Sequence, residues 1–276
     1  MNPTRPILVI GATGKTGSRV AARLEAAGAP VRRLSRGAPI PFDWDAPATW
    51  PAAFDGASAA YVTYHPDIAI PGALAKIEGV FAVARAAGLE RIVLLTGRGE
   101  RHAQLAEDAA RGSGVASVIV RAAWFAQNFS EGQLRAPVMA GVLPMPGGDV
   151  HEPIVDIDDI ADVAAAALIE ERHAGEFYEV TGPRLMRFDE MADALSAAIG
   201  RPVRRQSLSF EAFHAALAQT AGATIADVVT AVARETLDGR NAWVADGVER
   251  ALGRPPRDFA DFAAAAARAG AWADAA

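Results

Sequence analysis

The chain has 276 residues, a formal charge of −6, a hydrophobic content of 51% and no cysteine. That length admits one large domain or two small ones, each able to bury a proper core. A negative chain without clustered positive charge argues against direct nucleic-acid binding, and the lack of cysteine excludes disulfides, thiolate chemistry and cysteine-ligated metals. No cleavable signal opens the chain and no apolar run reaches the ~18 residues of a membrane span, so a soluble, cytoplasmic protein is expected. The first element is Ile7-Leu8-Val9-Ile10, which breaks into Gly11-Ala12-Thr13-Gly14-Lys15-Thr16-Gly17. A helical pattern (Val20, Ala21, Leu24, Ala27) follows and closes at Gly28, which predicts strand, tight turn and helix. Such a turn leaves backbone N–H groups unpaired where the helix dipole favours negative charge, so a pyrophosphate is the natural guest. Gly11, Thr13, Gly14, Lys15, Thr16 and Gly17 are therefore cofactor-binding candidates.

Two nucleotide readings compete for this loop. An ATP or GTP P-loop needs a glycine five residues before the glycine of Gly14-Lys15-Thr16, and that position is Val9, inside the strand. A dinucleotide needs a second strand whose end recognises the ribose. Residues 30–36 supply it, ending in Ser35-Arg36 where an NAD-binding strand carries Asp or Glu. An arginine there pairs with the 2′-phosphate of NADP, so NADP(H) is expected in preference to NAD(H). The competing reading of Arg36 is a solvated arginine at a strand end.

Residues 40–44 predict a short third strand, at whose end Asp43 either accepts from the adenine amino group or starts a helix over 46–54. Residues 59–64 form a fourth strand, continuous and apolar as burial on both faces requires, and its end from Thr63 borders the cofactor. A helix over 72–87 places Leu74, Ile77, Val80, Phe81 and Ala84 on one face. Strands follow at 91–96, ending at the cofactor-side Thr96, and at 115–121, with a helix over 100–111 between them. This alternation predicts an α/β protein with a Rossmann-type, doubly wound parallel sheet and ligands outside the carboxyl ends of its strands. Residues 143–148 read as a loop, 152–156 as a strand, Asp158-Asp159 as the cap of a helix to 168, and 177–181 as the strand that closes the sheet. Beyond Phe188 the pattern is mostly helical (189–199, 210–218, 225–237, 259–269) with one extended stretch at 203–208. A cofactor-binding domain, 1–182, and a smaller, mostly helical cap, 183–276, are expected, with a small-molecule substrate between them.

The glycine loop, Arg36, Trp124-Phe125-Ala126-Gln127-Asn128-Phe129 and Asp158-Asp159-Ile160-Ala161 together resemble the NmrA-like branch of the atypical short-chain dehydrogenase/reductases. The resemblance covers essentially the whole chain. Residues 42–44, 124–131 and 254–262 look most like the ergot-alkaloid-type reductases and their bacterial relatives. It implies an NAD(P)(H)-binding oxidoreductase, or a non-catalytic redox sensor of the NmrA type, with an isomerase or epimerase third. Glu107 matches a glutamate common in the family and is read as structural support. Two departures fall near the expected nicotinamide: Ala122 follows Arg121 where relatives often have proline, and Thr96-Gly97-Arg98-Gly99 replaces a serine pair.

Ordinary members of the superfamily protonate the substrate with a tyrosine assisted by a lysine four residues on. Tyrosine occurs here only at 61, 64 and 178, followed four later by His65, Ile68 and Gly182, so that pair is absent. Hydride transfer to an activated electrophile such as a quinone, an iminium ion or a conjugated enone needs less from the protein. Trp124, Phe125 and Phe129 are candidate pocket walls, with core packing as the competing reading; Gln127 and Asn128 are candidates to orient a polar group, with backbone bonding as the alternative for Asn128. His102, in the segment where the missing tyrosine would fall, is the first candidate acid, against a solvated helix-start histidine. His65 and His151 read as structural, and no metal site is expected. Self-association is left open.

Overall fold

The computed structural model describes residues 5–273. Strand β1 (Ile7–Ile10), helix α1 (Lys15–Ala26), β2 (Val31–Leu34), α2 (Trp50–Phe54), β3 (Ala59–Val62), α3 (Ala73–Ala86), β4 (Arg91–Gly97), α4 (Arg101–Arg111) and β5 (Ala116–Ala122) follow in chain order. With β8 (Phe177–Val180) they build one parallel sheet in the order β2-β1-β3-β4-β5-β8. The order reverses between β1 and β3, and an open parallel sheet binds its ligand at such a switch point.

Alternation along each strand feeds two apolar layers. Ile7, Val9, Val93, Leu95, Val118 and Val120 pack with α1 and α6 (Ile157–Ile169). Leu8, Ile10, Ile92, Leu94 and Ile119 pack with α2, α3 and α4 on the opposite face. Both faces of the inner strands are covered, which is why β1 and β3 are apolar along their whole length, whereas the edge strand β2 carries Arg32 and Arg33.

A third cluster forms the cap. It gathers α5 (Arg135–Met139), β6 (Val142–Met145), α7 (Phe188–Ile199), α8 (Phe210–Ala221), α9 (Ala223–Thr236) and α11 (Phe259–Arg268). Two small sheets join its parts. β6 pairs in parallel with β10 (Arg204–Ser207), and β7 (His151–Glu152) pairs antiparallel with β9 (Met186–Arg187). Apolar packing crosses position 182 in both directions. Phe129, Leu143 and Ile154 belong to the cap cluster, whereas Val248 and Ala251 of α10 (Gly247–Leu252) pack on the α6 face of the sheet.

Four expectations need correction. Residues 40–44 are a loop: Phe42 N donates to Ser35 O at 3.0 Å, and Phe42 and Trp44 join an aromatic cluster with Trp50, Phe54 and Tyr64. Their apolar alternation reflects that cluster and no ladder. Within 143–148, residues up to Met145 are strand, because a two-stranded sheet has only edges, where Pro144 loses no ladder bond. Over 152–156 only Glu152 is in β7, since Pro153 has no N–H to donate; Val155 keeps a single bridge to Phe125. The cap of α6 is Asp156, whose carboxylate accepts from Asp158 N at 2.8 Å, so Asp158 and Asp159 stand in the first turn.

Candidate cofactor and active site

The glycine loop is a tight cradle. Gly11 has φ +70°, and a Cβ there would lie 2.9 Å from Thr63 Cγ2, so β1 and the end of β3 meet without a side chain between them. A Cβ on Gly17 would lie 2.3 Å from Gly11 O, which lets the first turn of α1 close onto the loop. Gly14 N donates back to Gly11 O at 2.8 Å. Gly14 is also the N-cap of α1, with no side-chain cap and no acid in the first turn. The first N–H groups are thus left for an anion, and the residues present fit a dinucleotide pyrophosphate. Thr13 is exposed beside them and Thr16 is buried under the turn.

Two expected site residues from distant segments meet here. Lys15 Nζ donates to Asn128 Oδ1 at 2.9 Å, so the segment after β5 folds over the mouth of the cradle. Burial pulls the Lys15 ammonium below the usual lysine range, while Glu131 raises it and Arg19 lowers it further. At the end of β2, Arg36 is exposed and Ser35 turns the chain, its carbonyl accepting from Ala38 N and Phe42 N. Asp43 lies close by, but its Oδ1 accepts from Asp45 N at 3.0 Å, a local turn bond.

On the other side of the switch point the carboxyl ends of β3, β4 and β5 line up. The Thr96 hydroxyl is buried and donates to Glu107 Oε1 at 2.8 Å, so its proton is committed to the scaffold. Glu107, fully buried, also accepts from Arg121 Nε at 2.8 Å and Nη2 at 2.5 Å, so it joins α4 to β4 and β5 as structural support. Glu100 is buried, 6% exposed, with its carboxyl lying where a side chain on Gly97 would be. Burial, then Asp67, Glu235 and Glu107, raise its pKa well above the usual carboxylate range. Arg98 is buried between Glu179 and Asn241 O, its guanidinium 4.0 Å from the centre of the Trp243 ring. Glu152 is fully buried with neither carboxyl oxygen hydrogen-bonded among the described residues, and burial pushes its pKa up to about 8, Arg98 opposing and Asp238 adding.

The segment after β5 divides between site and scaffold. Trp124 is half-buried, its Nε1 donating to Thr236 Oγ1 at 3.0 Å on α9, and Phe125 is half-buried beside it. Gln127 is no pocket residue: its Nε2 donates to Asp156 Oδ1 at 2.6 Å and its Oε1 accepts from Ile157 N at 2.9 Å, which uses both ends of a buried amide. Phe129 is no wall either; it is buried in the cap core, its ring 5.2 Å from that of Phe259. His102 is exposed in the first turn of α4 while Ala103 faces the core, the position of a solvated helix-start histidine. Glu100 gave no sequence signal of its own, because an acid before a helix reads as a cap. The nearby departure at Gly97-Arg98 was the available hint. No group of acids and histidines arranged to hold a metal occurs among the described residues, and no helix there is long and apolar enough to cross a membrane.

A parallel sheet that reverses at β1, with a glycine cradle at that point, defines a Rossmann-type protein. No family model matches the chain. It is 32% identical over 290 residues to the NAD(P)H azoreductase of Xenophilus azovorans, covering 95% of this chain and 98% of that one. It is likewise 32% identical over 286 residues to festuclavine synthase II of Penicillium roqueforti, covering 93% and 96%. The NADPH-dependent quinone oxidoreductase of Escherichia coli, solved with NADPH, shares the fold at a TM-score of 0.80 and 20% identity, over 94% of this chain and 99% of that one. The chain belongs to the NmrA-like branch of the atypical short-chain dehydrogenase/reductases.

Proposed function

We propose that the protein is an NADP(H)-dependent reductase that delivers hydride to a small activated electrophile, such as a quinone, an iminium ion or a conjugated enone. The observation that carries this reading is the uncapped, acid-free N-terminus of α1 behind the glycine cradle, with Arg36 at the end of the neighbouring strand. The reductase names of the azoreductase and quinone oxidoreductase relatives support it. Gly11, Gly14, Gly17 and the first-turn N–H groups would hold the pyrophosphate, with Thr13 and Thr16 flanking. Ser35 and Arg36 would hold the 2′-phosphate, and Asp43 would lie against the adenine. The nicotinamide end would then extend past Thr63 toward Gly97, beneath Trp124 and Phe125. When bound, the cofactor supplies the hydride. The chain's own part is to orient the acceptor and exclude water, with 1–182 supplying the cofactor-binding sheet and 183–276 most of the cap, to which α5 and β6 also belong.

The test is NADPH oxidation against a panel of quinones, cyclic iminium ions and enones, combined with Arg36→Ala. That variant should weaken NADPH binding by roughly ten- to a hundredfold and NADH binding far less, as loss of a charge-assisted contact of about 1.5–3 kcal/mol requires. Equal losses for both cofactors would overturn the NADP assignment. Silence across the panel with tight NADPH binding would replace the reductase by a cofactor-binding regulator.

A further inference from the structure

Glu100 occupies the N-cap position of α4, yet its side chain makes no capping bond. That work is done from the cap domain, where Glu235 Oε1 accepts from Arg101 N at 2.9 Å. The Glu100 carboxyl instead folds back over Gly97 at the carboxyl end of β4, into space that any side chain at 97 would fill. Its Oε2 is buried and has no hydrogen-bond partner among the described residues. The charged groups acting on it are Asp67 from the segment after β3, Glu235 from α9 and Glu107 from its own helix, and all are acidic. Burial without a cationic partner favours the neutral form of a carboxyl, and a neutral carboxyl is a proton donor.

Topology places this donor at the hydride end. Arg36 marks the adenosine side of the switch point, so the cofactor's reactive end lies on the opposite side, over β3 and β4, where Thr63 and Gly97 stand. We propose that Glu100 is the proton donor of the reduction, taking the place of the tyrosine this chain lacks. The inference rests on the reductase reading. For an enone, a C–H bond forms at the β-carbon from the hydride, and the C=C π pair moves to the bond between the α-carbon and the carbonyl carbon. The C=O π pair passes to oxygen, and an O–H bond forms there from the Glu100 carboxyl, giving an enol that tautomerises in water to the saturated ketone. The substrate gains two electrons, the nicotinamide loses them, and Glu100 is left as a carboxylate. Water then returns the proton, and the burial of this carboxylate among Asp67, Glu235 and Glu107 favours that return. An iminium ion already carries the positive charge that hydride neutralises, so its reduction to an amine needs no proton.

Glu100→Gln keeps the shape and removes the proton; Glu100→Asp keeps the proton and withdraws it. With an enone, kcat of Glu100→Gln should fall by about 10²–10⁴, the usual worth of a placed general acid, and the loss with an iminium ion should be at least about tenfold smaller. Glu100→Asp should retain part of the enone activity. The independent readout is the carboxyl signal of ¹³C-labelled glutamate in the protein without substrate at neutral pH. One neutral glutamate resonance should vanish in Glu100→Gln while that of Glu152 remains. Equal kinetic losses for both acceptors, or no neutral carboxyl assigned to Glu100, overturn the inference alone. A wild-type protein that binds NADPH and reduces no acceptor overturns the reductase reading and this role with it.

Discussion

Replacing Glu152 by glutamine removes a buried carboxyl that has no hydrogen-bond partner among the described residues. Glu152 is fully buried on β7, neither oxygen is hydrogen-bonded among the described residues, and burial raises its pKa from 4.5 to about 8. The unfolded chain releases this proton near 4.5 while the folded chain keeps it to about 8. The folded state therefore binds more protons in that window, so stability is greatest below it and falls as pH rises through it. Each pH unit inside the window costs about 1.4 kcal/mol, and its full width roughly 5 kcal/mol, an upper figure because water reaching an ionised carboxylate relaxes part of the penalty. Glutamine has the same shape and no proton to lose, so the variant lacks this slope. Urea unfolding of both proteins at about pH 5 and about pH 9 measures it, with Glu152→Gln gaining on the order of 3–5 kcal/mol over wild type between the two. Parallel curves would refute the reasoning and mean that Arg98 keeps Glu152 charged in the folded protein at neutral pH.

Gly17→Ala forces a methyl group to within 2.3 Å of Gly11 O, so the cradle must open. NADPH affinity, followed by fluorescence titration, should drop by roughly tenfold or more, the equivalent of 1–3 kcal/mol of overpacking strain; an unchanged affinity would show that the cradle is not the cofactor site. Asp159→Asn acts elsewhere. This fully buried carboxylate accepts from Arg257 N at 2.7 Å and pairs with Arg254 at 2.8 Å and with Arg257 Nη1. Its loss should cost roughly 2–4 kcal/mol in denaturant unfolding, below the cost of a fully orphaned pair because Asp162 still holds both arginines. Unfolding at the wild-type midpoint would refute that account.

The sheet was legible because its inner strands, β1 and β3 above all, are buried on both faces and apolar along their length, and helices with one apolar face separate the strands. The aromatic pattern at 40–44 imitated a strand because Phe42 and Trp44 satisfy a local cluster. Residues 142–145 hid a strand because their partner, β10, lies some 60 positions on and carries Arg204, Arg205 and Gln206 in place of apolar residues. At the site, the cradle was legible since glycine spacing encodes backbone shape. What remained hidden was direction. Gln127 and Asn128 are neighbours of similar chemistry, yet one is spent on the start of α6 and the other reaches Lys15. Glu100 and Glu152 gained their character from burial, which depends on elements far away in the chain.

The segment between β5 and α6 supplies Phe129, Leu143 and Ile154 to the cap cluster, and α10 returns from the far end of the chain to cover the sheet. Each half is thus completed by chain from the other. A fragment ending at 182 would expose the apolar side of Phe129 and strip Val248 and Ala251 from the sheet, so neither half is a transplantable module. Variation that retunes substrate choice must work within a jointly folded whole. Among the cap helices, α9 is the one whose buried Thr236 meets Trp124, so a change there is felt in both halves at once.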